Sequence, residues 1–195
     1  ASKKQIKTTG AVTFLAGKRV QFEKAYPGDI VGLFNHGTIS IGDSFTQGSD
    51  IKFAGIPHFA PEMFKTVVPR DPLKSKQLQK GLKQLSEEGA TQAFMPNSNN
   101  RIILGAIGVL QFEVVAFRLQ NEYKVECLYN EVNLFTVRWI NCDDPNILSD
   151  FKRQSVVNLA VDQDNYLVYL APSRVNLQLI QDKWPEINFA TTREH

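Results

Sequence analysis

Soft metal ligands are scarce in this chain, which has two cysteines, Cys127 and Cys142, and three histidines, His36, His58 and His195. Two thiols cannot build a disulfide framework, and no histidine pair stands near either one to complete a zinc set. Each cysteine lies among apolar, strand-like neighbours (Val125 and Leu128; Trp139 and Ile140). That setting predicts buried, reduced thiols in a reducing compartment, the cytoplasm. No apolar run reaches the roughly 18 residues that a spanning helix needs. The polar start Ala1-Ser2-Lys3-Lys4-Gln5 lacks the apolar core of a signal sequence. Ala1-Ser2 reads as a cloning remnant on a chain that begins in mid-protein.

Nucleotide-binding and catalytic signatures are absent too. Gly32-Leu-Phe-Asn-His-Gly37-Thr38 has the glycine spacing of a phosphate loop but not the lysine that must reach the phosphates. Gly105-Ala-Ile-Gly108 precedes a helix without the third glycine or the distant acid of a dinucleotide site. His36, Asp43 and His58 are the one grouping of bases or ligands, and they share neither a helical nor a strand face. No nucleophile elbow or His-Glu-x-x-His motif occurs. His195 is terminal. These residues predict no catalytic, cofactor or metal site.

What is present is enough for a core: 195 residues, 43% hydrophobic and 22% charged, allow one or two domains. The net charge of +2 hides an asymmetry. Residues 1–101 carry 14 Lys and Arg against 8 Asp and Glu, whereas residues 102–195 carry 8 against 12. Such a split fits a surface facing a polyanion, and equally a mixed solvated surface.

Residues 1–61 read as short strands, Ala11–Leu15 and Asp29–Phe34 among them, separated by glycine-rich turns. This predicts a truncated antiparallel barrel. Residues 62–195 read as an α/β region of two ferredoxin-like units, 62–132 and 133–195, each ordered β-α-β-β-α-β. The first unit runs Phe64–Val68, a helix from Pro72 to about Glu88, Thr91–Met95, Ile102–Ala106, a helix from Val109 to Glu122, and Lys124–Tyr129. The second runs Thr136–Ile140, a helix from Pro145 to Ser155, Leu159–Val161, Tyr166–Leu170, a helix from Arg174 to Trp184, and Ile187–Ala190. The fold class is mixed β and α+β.

Two helices carry surface information. At 100° per residue, Leu78, Leu82 and Leu85 fall within about 60° of one another and must face the core. Lys76, Lys80 and Lys83 cluster on the opposite side, with Arg70 and Arg101 as possible extensions. The row is either a solvated face or a set of ammonium groups for sequence-blind phosphate contact. In the helix from Val109, Phe112, Val115 and Leu119 form one apolar stripe, and Leu110, Val114 and Phe117 form another on the far side. One stripe covers the sheet. The other needs a partner, either the following unit or a domain absent here.

Ala25-Tyr-Pro-Gly-Asp-Ile-Val-Gly-Leu33, Asn35-His36-Gly37-Thr38 and Ile41-Gly-Asp-Ser-Phe-Thr-Gln-Gly48 resemble the second-domain barrel of translational GTPases. The Asn-His-Gly-Thr turn, Lys52–Phe64, Asp71-Pro-Leu-Lys74, Leu82–Ala90, Gly108–Glu113 and Thr192-Arg-Glu-His195 are similar to the bacterial peptide chain release factor 3 family. Elongation factor G is a more distant relative; its Gly-Glu-Leu-His-Leu segment is replaced here by Gly108-Val-Leu-Gln-Phe112. The resemblance spans essentially the whole chain.

It implies a C-terminal region of a ribosome-stimulated GTPase that ejects and recycles class I release factors. GTP and Mg would belong to an N-terminal domain whose motifs do not occur here, leaving this region monomeric and catalytically inert. It would dock on small-subunit rRNA and a protein beside the decoding region. The rival expectation is an intramolecular scaffold, with Leu110, Val114 and Phe117 packing against the GTPase domain.

Overall fold

The computed structural model describes residues 10–15, 18–21, 24–34, 39, 42–46, 48, 58–99 and 101–193. The chain forms two compact units, Ala1–Asp43 and Ser44–His195, dividing well ahead of the change in sequence character at residue 62.

In the first unit, β1 (Val12–Leu15) and β2 (Lys18–Gln21) pair antiparallel. Tyr26–Asp29 is a tight turn. Gly28 takes φ +97° there, and the Asp29 carboxylate accepts from the Tyr26 N–H at 2.7 Å. The strand expected over 29–34 is reduced, among the described residues, to a single bridge in which Val12 and Gly32 exchange backbone hydrogen bonds of 3.0 and 2.7 Å.

The second unit repeats one plan twice. Its first half comprises β3 (His58–Phe59), β4 (Met63–Pro69), α1 (Ser75–Glu87), β5 (Gln92–Pro96), β6 (Ile102–Ala106), α2 (Val109–Tyr123) and β7 (Cys127–Glu131). The second half comprises β8 (Thr136–Asn141), α3 (Pro145–Gln154), β9 (Leu159–Asp162), β10 (Leu167–Ala171), α4 (Arg174–Lys183), β11 (Asn188–Ala190) and β12 (Thr192–Arg193). Eight strands form one antiparallel sheet in the order β11-β8-β10-β9-β5-β6-β4-β7.

Setting aside β3 and β12, which pair with each other outside this sheet, each half presents its second, third, first and fourth strands outward from the β9–β5 joint, the ferredoxin-like order. Because β5 and β9 run antiparallel, an approximate twofold normal to the sheet relates the halves and leaves all four helices on one face.

Local chemistry sets the ends. The Asp71 side chain accepts from the Leu73 N–H, with Pro72 opening a 3-10 turn ahead of α1. Asp144 caps α3 in the same way before Pro145. Gly89, at φ +75°, ends α1. The strand expected from Lys124 begins at Cys127 instead. Lys124 is the left-handed cap of α2 at φ 57°, and Val125, fully buried, anchors the turn before the chain can extend.

Three cores result. Leu78, Leu82 and Leu85 of α1 and Phe112, Val115 and Leu119 of α2 close over β4–β6. Phe151 of α3 and Leu177 of α4 close over Ile140, Tyr169 and Phe189. On the reverse face, Phe64, Phe94 and Ile103 join Val137, Trp139, Val168 and Leu170 in one cluster running across the joint.

That reverse face is locked by charge. Asp162, 1% exposed, accepts from Trp139 Nε1 at 3.0 Å and from the backbone N–H groups of Asp164 and Tyr166 at 3.0 and 2.9 Å. Arg193 Nε lies 3.2 Å from the same carboxylate, an ion contact without hydrogen-bond alignment. Arg193 also pairs with Asp164 and covers the Tyr166 ring at 4.3 Å. This clamp holds β12, which pairs with β3, against the sheet.

Candidate functional site

α1 is held by its apolar side and by a close crossing of α2. A β-carbon on Gly81 would come within 2.7 Å of Leu119 Cδ2 and 3.0 Å of the Tyr123 ring, so any side chain there would have to displace Leu119 to keep this approach. Arg118 ties the helices together, with Nη1 2.6 Å from Glu88 and Nε 2.6 Å from Glu122. Hydrogen bonds to these two carboxylates push the Arg118 guanidinium up from its ordinary value. Tyr123 donates to Gln84 at 2.8 Å.

With this side fixed, Lys76, Lys80 and Lys83 all emerge into solvent opposite the leucines. Lys83 faces Glu87 at 3.9 Å, at the outer limit of an ion pair, while Lys76 and Lys80 have no carboxylate partner among the described residues. Arg70 and Arg101 lie at the end of the sheet where α1 begins, since Val67 pairs with Ile102. Arg101 is exposed, its backbone N–H held by Asn99 Oδ1 at 2.9 Å. Arg70 is paired with Glu126 at 3.1 Å, which offsets its charge. The lysine row is therefore the coherent part of the basic surface.

The α2 stripe lies beside it on the same layer. Leu110, Val114 and Phe117 are 69%, 52% and 67% exposed, and Ile107 extends them at 62%. The second half of the sheet does not cover them, which removes one of the two partners that the sequence left open.

Among the described residues no group of three or more His, Cys, Asp or Glu could hold a metal ion. Likewise, no helix among them is long and apolar enough to cross a membrane. His36 and His195 fall outside the described residues. Asp43 belongs to the first compact unit and His58 to the second.

Cys127 and Cys142 are free thiols but only half-buried, because each lies near a strand end instead of inside a core. Burial pushes the Cys127 thiol up, so thiolate is scarce near neutral pH. Iodoacetamide at pH 8 is expected to alkylate Cys127 more slowly than free cysteine. Alkylation at the free-cysteine rate would contradict the packing of β7.

A cavity of about 390 Å³ under α4 had no sequence signal. Arg138, in a strand of alternating residues, reads as an outward side chain until α4 is laid across it.

Residues 1–48 match the family model described as elongation factor G domain 2, a β-barrel-like domain. Residues 53–181 match the one described as class II release factor RF3, C-terminal domain. That match covers well over half of the chain, which therefore belongs to the class II release factor RF3 family and represents a C-terminal region of a translational GTPase.

Proposed function

We propose that this region docks its parent factor on the ribosome through the lysine face of α1, in the service of class I release factor dissociation and recycling. The observation that carries the reading is that Lys76, Lys80 and Lys83 project from one side of a helix pinned by Leu78, Leu82 and Leu85, with two of the three lacking a carboxylate partner among the described residues. Ammonium groups on a rigid helix contact phosphates without reading sequence, as an rRNA surface requires. The region is a lever that does not hydrolyse GTP, and the GTP and Mg of that reaction are held elsewhere in the parent.

The test is ribosome binding by this chain across a salt series, with Lys76→Glu, Lys80→Glu and Lys83→Glu combined. Each lost phosphate contact removes about 0.7–0.9 from the slope of log affinity against log salt, so the slope should flatten by about 2–3. An unchanged slope and affinity would exclude this face as the contact.

The exposed α2 stripe favours a second role beside the first, packing against the GTPase domain. Hydrogen exchange at residues 110–117 would then be slower in the intact factor than in this chain. Equal exchange would dismiss it.

A further inference from the structure

Arg138 and Arg174 face one cavity in the second half of the sheet, away from the lysine face. The cavity measures about 390 Å³ and opens between α4 and the β8–β11 edge. Its polar lining is Arg138, Arg174, Gln178, Gln181 and Thr191, with no carboxylate, although this half of the sequence is rich in acid. Leu177 and Phe189 form an apolar floor, and Phe135, 48% exposed, stands at the rim.

The guanidinium of Arg138 is half-buried without a counter-ion. Its Nη1 donates to Thr136 Oγ1 at 2.8 Å and to the Val137 carbonyl at 2.7 Å. The donors on Nε and Nη2 have no acceptor among the described residues. Burial unrelieved by any carboxylate pushes its pKa down from the ordinary value. Arg174 opens α4 and has no ion pair among the described residues, and the helix end adds a partial positive charge. Gln178 already donates to Asp182 at 2.8 Å, and among the described residues neither its carbonyl nor the Gln181 amide has a hydrogen-bond partner.

Two guanidiniums without acids call for a phosphate or other doubly charged oxyanion. The volume exceeds that of a bare anion, and a rim aromatic with two amides is the equipment for stacking a base and bonding its edge. From this juxtaposition we infer that the cavity binds a nucleotide, its phosphate on Arg138 and Arg174 and its base on Phe135. The nucleotide is either free or an unpaired residue of RNA. The site is separate from α1 and does not depend on the docking proposed above.

The experiment titrates this chain with adenosine and guanosine 5′-monophosphate, inorganic phosphate and a single-stranded RNA hexamer. The readout is the NMR shift of the Arg138 Nε–H together with the binding isotherm. Saturable binding of a monophosphate that shifts this resonance is expected. Arg138→Met and, as an exposed position that spares folding, Arg174→Gln should each weaken binding about tenfold, the loss of one charged hydrogen-bonded contact. Phe135→Ala should weaken the nucleotide and leave inorganic phosphate unaffected. A hexamer that binds well above the monophosphate assigns the ligand to RNA, and equal affinity assigns it to a free nucleotide. No shift at millimolar nucleotide, or inorganic phosphate binding as tightly as the nucleotide, would overturn the inference.

Discussion

Replacing Gly105 by valine is expected to cost the α/β unit about 3 kcal/mol, because the central strand β6 has no room for a side chain there. A β-carbon at Gly105 would meet the Pro61 ring, its Cβ at 2.8 Å, and Phe94 Cε2 at 2.9 Å. Neither can yield cheaply. The proline ring is stiff, and Phe94 is fully buried in the reverse-face core, 6.4 Å from the Phe64 ring. Gly105 pairs with Phe64 on one side and Gln92 on the other, so displacing it disturbs two ladders. Both tryptophans, Trp139 and Trp184, lie in this unit, and their fluorescence in a urea titration reports it alone. A midpoint within error of the wild type would refute the close packing of Pro61 on β6.

The loss from Asp162→Ala is expected to be larger, about 3–5 kcal/mol, the usual cost of stranding one member of a buried ion pair. Three donors would lose their acceptor: Trp139 Nε1 and the N–H groups of Asp164 and Tyr166. Arg193, only 7% exposed, would retain Asp164 alone. Arg193→Met should cost less, because Asp162 keeps those three hydrogen bonds. The double variant should then be more stable than the sum of the two single losses predicts, since no cation is stranded. Strict additivity would show that the two side chains do not interact.

Most of the fold was legible in the sequence because its local signals agree. Asp71-Pro72 and Asp144-Pro145 mark helix starts, and Gly89 and Asp162–Asn165 mark turns. The leucines of α1 and the paired stripes of α2 display the helical period plainly. The structure orders its elements as the pattern suggested, down to the repeated β-α-β-β-α-β plan.

What was not legible is what depends on long-range pairing. That β5 and β9 join the halves into one sheet follows from register, which no local motif encodes. The Asp162–Arg193 clamp joins residues far apart in sequence, one of them in a terminal segment with ordinary surface composition. Lys124 misled because a lysine in the left-handed region carries no signature, unlike a glycine. The lysine row was visible at once, since a helix face needs only spacing. The Arg138 cavity was not, because strand alternation gives a side without saying what covers it.

The measurement that bears most directly on the docking claim is acetylation footprinting of lysines in this chain, free and bound to ribosomes. Ribosome binding should protect Lys76, Lys80 and Lys83 together and leave Lys152 and Lys183, in the other half of the sheet, as reactive as before. Undiminished acetylation of the α1 lysines in a chain that sediments with ribosomes would place the contact elsewhere.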